Sequence, residues 1–462
     1  MIKRIYFNNK SFDFVKNEDV YPDDNIFTII VGKNGTGKST LLSSIVSELL
    51  RNYNDRFYNG NELGFNSHNF IGDLIIDKKP ENIIAVSSSP FDKFPLTKKI
   101  NDIESYTYLG LRDLSSMNFG LSYMSKIISS LIESIYKNPS HWENLAQVLE
   151  YLGYRDQITA KFTFNFSKIS LLQFINNNDT PEDFFYNIKN LNSTITKTLN
   201  RKFFIDELGN LDISKVTHLR NILNTFIHEN SNFRSNRIVY LNVDYNGISI
   251  ESSELFLHNE EILFLINSGI LKLKDIGLLK KNRNSVYSIK DSSSGEQSVI
   301  LSILGIASKI TNNSIICIDE PEVCLHPEWQ EKYIQILINT FRKFKECHFI
   351  IATHSPQIIS NLESNNCFII SMEDAEVNNA NQFLNNSIDF QLANVFKTPG
   401  FKNEYLSRIA FTIFSKVGRY KKFDEEDLNN YRILKDVYKH LENNDPVKEI
   451  ITVIIELYKK YA

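Results

Sequence analysis

A glycine-rich segment near the start of the chain has the residue types and spacing of a phosphate-binding loop. Residues 32–39 read GKNGTGKS, which follows the pattern G-x-x-x-x-G-K-[ST]. Glycines allow consecutive backbone N–H groups to converge on phosphate oxygens, and a lysine adds a positive charge. The pattern predicts that ATP contacts Gly32, Asn34, Gly35, Thr36, Gly37, Lys38, Ser39 and Thr40, and that the hydroxyl of Ser39 binds Mg²⁺.

Two acidic residues follow a short apolar run in the second half of the chain. Residues 315–318 read IICI, and Asp319 and Glu320 come next. At the carboxyl end of a strand, Asp319 would hold Mg²⁺ and Glu320 would polarise the attacking water. An apolar strand followed by an acidic turn is also common without any catalytic role, so the pair alone leaves both interpretations open.

Two further motifs flank the acid pair. Residues 293–297 read SSGEQ and open a predicted helix, while His354 lies 35 positions after Asp319 at the end of another apolar run. A hydroxyl–glycine element at a helix N-terminus is an anion site, and a histidine could contact the γ-phosphate. Taken singly, SSGEQ is more often a helix cap and such a histidine is more often structural.

Together the four motifs resemble the head of ABC-type ATPases, in the order phosphate loop, signature, acid pair and switch histidine. Residues 319–327 (DEPEVCLHP) and 353–356 (THSP) are similar to the RecF/SMC/OLD branch, in which a large insertion divides the head. The resemblance implies that Glu320 is the general base and that His354 senses the γ-phosphate. It also implies that ATP of a partner chain is capped by Ser293, Ser294, Gly295, Glu296 and Gln297 across a head-to-head dimer.

One element of that family pattern is missing. No glutamine follows the predicted strand at residues 82–86, where the segment 87–94 reads SSSPFDKF. A serine of this segment or Asp92 is the candidate substitute for the usual glutamine.

The predicted elements define the fold class and four regions. Short apolar strands at 25–31, 314–318 and 348–352 fit buried parallel strands, which predicts an α/β head with a mixed sheet. Helical spacing at 121–136 and 142–151 predicts a mostly helical insertion. The expected regions are a head lobe at 1–100, the insertion at 101–235, a second head lobe at 236–375, and a helical C-terminal domain at 376–462 for oligomer or partner docking.

Composition excludes several other classes. The net charge is −4, which gives no global attraction to nucleic acid or anionic membranes. The apolar runs are far shorter than the ~20 residues of a membrane span, and the first residues do not resemble a signal peptide. Four cysteines without a C-x-x-C pair fit a reduced, cytoplasmic protein.

The sequence contains no recognisable effector chemistry beyond the nucleotide motifs. Residues 373–462 lack the acidic strand ends of the Toprim domain in OLD nucleases, and no heptad pattern predicts an SMC-like coiled coil. Residues 85–95, 108–112 and the helical tail are similar to the PtuA ATPases of Septu anti-phage systems, to which retron-associated ATPases are related. That resemblance implies a homo-oligomer that regulates an HNH nuclease, PtuB in that family, supplied as a separate chain. The alternatives are a RecF-like DNA repair ATPase that binds DNA directly through basic segments and, with less support, a transporter subunit.

Overall fold

The computed structural model describes residues 1–16, 23–51, 74–96, 105–112, 119–138, 141–164, 169, 171–172, 199–205, 209–230, 238–251, 259–282, 285–359, 362, 366–383 and 386–462. Its strands are β1 Ile2–Phe7, β2 Lys10–Asp13, β3 Ile26–Val31, β4 Leu74–Ile76, β5 Ile83–Ser87, β6 Tyr106–Leu109, β7 Tyr154–Phe164, β8 Ile238–Asp244, β9 Gly247–Glu251, β10 Leu271–Lys280, β11 Val286–Ser288, β12 Ile315–Asp319, β13 His348–Thr353, β14 Cys367–Ser371 and β15 Val377–Asn379. Its α-helices are α1 Lys38–Arg51, α2 Phe119–Lys137, α3 His141–Tyr151, α4 Arg201–Phe204, α5 Ile213–Glu229, α6 Asn259–Asn267, α7 Ser294–Ala307, α8 Pro327–Thr340, α9 Pro356–Ile359, α10 Ile388–Asn394, α11 Glu404–Tyr420, α12 Glu425–Tyr438 and α13 Pro446–Tyr461.

The chain divides into two compact units. The head unit comprises Met1–Pro95 and Thr311–Ala462, and the inserted unit comprises Leu96–Ile310. Each unit contains its own sheet, described separately below.

The head unit is built on a sheet in which β14, β3, β13, β12 and β5 lie side by side and parallel. The strand β15 pairs antiparallel with β14. Every residue of β3, β12 and β13 is buried, as expected for parallel strands covered on both faces. The register places the last residues of β12, β13 and β5 at the same edge, where Asp319 pairs with Ala352 on one side and Ser87 on the other.

Two smaller parts complete the head unit. Strands β2, β1 and β4 form an antiparallel sheet in that order. Helices α11, α12 and α13 pack around a separate apolar cluster that includes Leu406, Leu434 and Ile451. Each of these helices has an N-cap side chain, and at α12 Asp424 and Asp427 form a reciprocal capping box. The helical C-terminal region predicted from the sequence is therefore confirmed.

The inserted unit contains a five-stranded antiparallel sheet in the order β11-β10-β7-β8-β9. Helix α3 packs on β7, and α7 packs against α2 and α3. The helices predicted near 121–136 and 142–151 are present as α2 and α3.

The α/β head with its parallel sheet is confirmed, but the predicted boundaries differ from the compact units. The insertion predicted as mostly helical over 101–235 contains β7, an 11-residue strand in which buried and more exposed residues alternate from Ile158 to Phe164. Its sheet partners β8 and β10 come from the region assigned to the second head lobe, so the inserted unit extends to Ile310. Likewise β15 belongs to the head sheet, so residues 376–462 do not separate as a domain of their own. Pairing between strands far apart in the sequence sets these boundaries, and local periodicity does not report it.

Among the described helices, none combines the length and the hydrophobicity that a membrane-spanning segment needs.

Candidate nucleotide-binding site

The loop between β3 and α1 has the backbone geometry that its glycines predict. Gly35 and Gly37 have φ values of +80° and +97°, a region that residues with a Cβ adopt only at a cost. The backbone N–H and the hydroxyl of Thr36 both donate to the carbonyl of Lys33, at 3.3 and 2.8 Å, which closes a tight turn. The loop thus leads directly into the N-terminus of α1, where backbone N–H groups favour an anion.

Lys38 turns back over this loop. Its Nζ atom donates to the carbonyls of Gly32 at 2.8 Å and Lys33 at 3.1 Å, and the residue is only 5% exposed. Burial lowers the pKa of its ammonium group, while the nearby carboxylates of Glu320, Glu322 and Asp319 act in the opposite direction. The lysine and the acidic end of β12 therefore share one electrostatic environment.

Ser39 and Asp319 meet at the edge of the sheet. The Ser39 hydroxyl donates to Asp319 Oδ1 at 3.0 Å, although 280 positions separate the two residues. Burial raises the pKa of Asp319 to about 7, helped by the charges of Glu320, Asp92 and Glu322 and opposed by the hydrogen bond from Ser39. A cation placed between this hydroxyl and this carboxylate would relieve the cost of the buried charge.

Glu320 lies in a strained turn directly after β12. Its φ of +49° is uncommon for a residue with a side chain, and its N–H donates to the carbonyl of Ala352 at 3.0 Å. Strain of this kind is held in place by its surroundings and is frequent at functional sites. This strained position is the one where a catalytic base is expected.

His354 follows β13, the strand next to β12 in the sheet. Its backbone N–H and its Nδ1 atom contact Glu322 Oε1 at 2.7 and 3.0 Å. The hydrogen bond to Glu322 raises the pKa of the imidazole, and the charges of Glu320 and Lys38 also act on it. The histidine thus lies within electrostatic reach of both the candidate base and the loop lysine.

The segment after β5 occupies the position of the missing glutamine. Asp92 is 4% exposed and accepts from the N–H of Phe94 at 3.1 Å, and its charge raises the pKa of Asp319. The following Lys93 donates to Thr40 Oγ1 at 2.7 Å, and its carbonyl accepts from Ser43 at 2.6 Å. This segment is therefore attached to α1. Within it, Asp92 is the residue whose charge affects Asp319 at the end of β12.

The signature residues lie in the inserted unit and divide into two groups. Ser293 caps α7 by accepting from the N–H of Glu296 at 3.2 Å, and Ser294 is exposed beside it. Glu296 accepts from Tyr154 at 3.0 Å and pairs with Lys280 at 3.7 Å. The amide of Gln297 donates to the carbonyl of Ser292 at 3.0 Å. Ser293 therefore does cap α7, and the side chains of Glu296 and Gln297 are hydrogen-bonded within their own unit. The contact of Ser293, Ser294 and Gly295 with a partner's ATP remains a prediction.

The residues at the carboxyl end of the parallel strands in the head unit are suited to bind ATP and Mg²⁺. A hydroxyl and a carboxylate are oxygen ligands suited to Mg²⁺, which is usually held by one or two carboxylates together with substrate phosphates. Within the described part of the chain no cluster of three or more His, Cys, Asp or Glu side chains could hold a metal by itself. The donor set thus suits a metal that arrives with a nucleotide.

Two features of the site were not assigned a role from sequence. Glu322 belongs to the DEPEVCLHP segment at 319–327, but this pattern gives no reason to connect it to His354, 32 positions away. Gln330 accepts from the Ser355 hydroxyl at 2.6 Å and donates to the carbonyl of Leu325 at 3.0 Å, a second link between the same two segments. Only a strand order that places β12 beside β13 brings these residues together.

These features define a P-loop ATPase. They are a parallel sheet and, at the carboxyl end of its strands, a glycine loop, a lysine, a hydroxyl–carboxylate pair and an adjacent acid. The comparison with protein families agrees, because the model described as "AAA ATPase domain" (AAA_15) matches residues 1–359. The chain belongs to this family.

Curated relatives are also ATPases by name. The chain is 24% identical over 395 residues to "Retron Ec83 probable ATPase" of Escherichia coli, covering 74% of this chain and 66% of the relative. It is 24% identical over 385 residues to "Retron Vc95 probable ATPase" of Vibrio cholerae serotype O1 biovar El Tor, covering 75% and 69%. The matches therefore span about two thirds of the length of these relatives.

Two solved structures align weakly with the chain. One is Stu0660 of Streptococcus thermophilus, with 11% identity, a TM-score of 0.30, and 99% of this chain and 94% of the other covered. The other is the Smc head domain of Pyrococcus furiosus bound to the C-terminal domain of ScpA, with 11% identity, a TM-score of 0.30, and 82% and 97% covered. A TM-score of 0.30 does not establish a common fold.

Proposed function

We propose that this chain is the ATP-hydrolysing subunit of an anti-phage defence complex, in which it holds and regulates a nuclease supplied by another chain. The observation that supports the ATPase part most directly is the meeting of Ser39 and Asp319 at the sheet edge, with Lys38, Glu320 and His354 in the same electrostatic environment. Residues from three separate segments of the chain converge there, and each has a role in phosphoryl transfer.

The roles follow from the chemistry of each group. Lys38 and the N–H groups of the loop neutralise the phosphates, and Glu320 orients and polarises the attacking water. His354 contacts the γ-phosphate and so distinguishes ATP from ADP. Ser39 and Asp319 would hold Mg²⁺, which supplies charge neutralisation on the transferring phosphate. Asp92 takes the place of the family's glutamine next to Asp319.

The signature predicts that the working unit contains at least two copies of the chain. Ser293 and Ser294 are exposed at the N-terminus of α7, where their hydroxyls and the positive end of the helix suit the phosphate of a nucleotide held by another copy. Glu296 and Gln297 keep this helix start in place through contacts with Tyr154 and Ser292.

The defence role is supported by the curated relatives, which are named as retron ATPases. The identity of the effector as an HNH nuclease follows from the resemblance to the PtuA ATPases of Septu systems, which remains a prediction. The sequence carries the nucleotide-binding motifs without recognised nuclease motifs, which is the reason to expect the effector on a separate chain.

Direct DNA binding, as in a RecF-like repair ATPase, has less support in the charged contacts. Of the basic residues near the signature, Lys280 pairs with Glu296 at 3.7 Å and Lys281 pairs with Glu150 at 3.0 Å. Lys272 and Lys274 are exposed on β10, and Arg283 lies outside the described residues. Two of the four described lysines are thus paired with glutamates, which weakens the case for phosphate recognition by this stretch.

The test is a co-purification of the tagged chain expressed with its neighbouring genes, read by native mass spectrometry. The proposal predicts several copies of this chain with a nuclease in a defined ratio, and loss of phage protection in a Glu320→Gln variant. Recovery of the chain alone, as a dimer that binds duplex DNA with a steep salt dependence, would replace the proposal with the repair ATPase.

A further inference from the structure

The carboxylate of Glu322 holds the loop that carries His354. Glu322 Oε1 accepts three hydrogen bonds, from Thr353 Oγ1 at 2.8 Å, from the backbone N–H of His354 at 2.7 Å and from His354 Nδ1 at 3.0 Å. Glu322 is 5% exposed, and its Oε2 atom is buried without a hydrogen-bond partner among the described residues. A buried carboxylate is costly unless its partners compensate, so its main compensation is this one loop.

The contact also fixes where the imidazole carries its proton. Glu322 Oε1 accepts the backbone N–H of His354 at 2.7 Å and the hydroxyl of Thr353 at 2.8 Å, so this oxygen is an acceptor toward the ring as well. Burial acts to raise the pKa of Glu322, but the hydrogen bonds from His354 outweigh it and lower that pKa. An unprotonated Nδ1 facing this oxygen at 3.0 Å would place two acceptors against each other. Nδ1 must therefore carry a proton, and Nε2 is the ring nitrogen that remains for a ligand.

A second hydrogen-bonded link restrains the orientation of the loop that carries His354. The Ser355 hydroxyl donates to Gln330 Oε1 at 2.6 Å, and Gln330 donates to the carbonyl of Leu325 at 3.0 Å. The loop after β13 is thus attached on both sides of His354. Thr353 is bonded to Glu322 in the turn after β12, and Ser355 is bonded to Gln330 of α8. The side chain of His354 remains 42% exposed, so these links restrain the ring without enclosing it.

We propose that Glu322 is a positioning residue that keeps the proton of His354 on Nδ1 and directs Nε2 toward the γ-phosphate of bound ATP. The negative charge of Glu322 also favours a second proton on Nε2, which makes that nitrogen a donor to a phosphate oxygen. The inference rests on the proposed ATPase function, because the γ-phosphate is what Nε2 would contact.

The first test is independent of turnover. Histidine labelled with ¹⁵N and ¹³C in the full chain reports the tautomer of His354 at a pH where the ring is neutral, with the signal assigned by its loss in His354→Ala. The wild type is expected to show the Nδ1–H form, whereas Glu322→Ala is expected to shift toward the Nε2–H form that free histidine prefers. A wild-type Nε2–H form, or an unchanged tautomer in Glu322→Ala, would overturn the inference.

The second test uses a double-mutant cycle on ATP hydrolysis. Glu322→Ala is expected to lower kcat about tenfold with little change in KM, as for other residues that orient a functional histidine. In a His354→Ala background the same change should lower kcat by less than about twofold, because Glu322 acts through the histidine. An effect of equal size in both backgrounds would contradict a positioning role. If His354→Ala itself left kcat unchanged, the assigned role of the histidine in hydrolysis would fail, while the tautomer would still decide the contact.

Two further variants make the result interpretable. Glu328→Ala removes an exposed glutamate that pairs with Lys332 at the start of α8, and it should change neither the tautomer nor kcat. Glu322→Gln keeps an acceptor oxygen for Nδ1–H, removes the charge, and places an NH2 group where Oε2 was. If Glu322→Ala does not fold, Glu322→Gln should retain the Nδ1–H form and still lower kcat, and an unaltered kcat would count against the role of the charge.

Discussion

Asp319 illustrates how a single residue of this site is adapted to a cation. Its carboxyl is buried at the end of β12, it accepts from Ser39, and the carboxylates of Glu320 and Asp92 act on it unfavourably. Such a group is costly when ionised and alone, and a divalent cation removes the cost. Glu320, the next residue, has a strained backbone conformation. Both features lower the stability of the fold at the place where the reaction is proposed to occur.

The pKa of Asp319 predicts a pH-dependent stability in the absence of metal. Burial raises this pKa to about 7, whereas an aspartate in an unfolded chain titrates at about 3.9. Between these two values the folded state binds more protons than the unfolded state, so stability decreases as the pH rises through this range. We expect the melting temperature of the metal-free wild type to fall more from pH 5 to pH 7.5 than that of Asp319→Asn, as followed by circular dichroism.

Magnesium and ATP provide the control for this prediction. They should stabilise the wild type at pH 7.5 and have a much smaller effect on Asp319→Asn, since the carboxylate is the expected metal ligand. Parallel pH profiles for the two proteins would show that Asp319 is not the group that titrates.

At the scale of elements, the parallel sheet brings together residues that are far apart in the sequence. β12 lies between β13 and β5, and β13 lies between β12 and β3, so the segments that follow these strands emerge at one edge. Ligands of open α/β sheets bind at this edge. The loop after β3 contributes the part of the site whose backbone conformation requires glycine, at Gly35 and Gly37.

The glycine at position 37 tests that loop. Its φ of +97° makes Gly37→Ala strained by about 1–2 kcal/mol, and the distorted loop should lose most of its ATP affinity. Gly247→Ala is the matched control, because Gly247 has a φ of +99° in the β8–β9 hairpin of the inserted unit. Both variants should lose similar stability in denaturant titrations, but only Gly37→Ala should weaken binding of a fluorescent ATP analogue. Equal ATP affinity in both variants would contradict the assigned role of the loop.

The sequence was sufficient for the head and insufficient for the inserted unit. The loop, the acid pair and the buried strands are each defined by residue types within a few positions of one another, and the structure has them where predicted. The strand β7 was not predicted although Ile158–Phe164 alternates, because its partners β8 and β10 lie far away in the sequence. The link from Glu322 to His354 could not be predicted, since it depends on strand order and on the direction of a turn after Glu320.

At the scale of the whole molecule, the signature motif predicts an ATP site that is shared between copies of the chain. The loop lysine lies in the head unit, and the signature serines lie at the start of α7 in the inserted unit. If the signature acts on a partner's nucleotide, neither copy hydrolyses ATP alone, and assembly controls the reaction.

Mixing two inactive variants tests whether the site is shared. Lys38→Ala removes the phosphate contact, and Ser294→Arg blocks the signature, so each homo-oligomer should be inactive. A dimer with one copy of each has one site with both native residues, and random mixing should restore about a quarter of the wild-type ATPase rate. Refolded or co-expressed mixtures that remain inactive would indicate that Ser294 does not complete a partner's site.

The measurement that tests the account most directly is Mg²⁺-dependent ATP hydrolysis by the purified chain, compared with Glu320→Gln. The substitution keeps the size of the side chain and removes the base, so we expect kcat to fall about 10²–10³-fold while ATP affinity is retained. Glu328→Gln, which changes an exposed glutamate on α8, should behave as the wild type. A Glu320→Gln variant that hydrolyses ATP at the wild-type rate would show that the acidic edge of this sheet is not the catalytic centre.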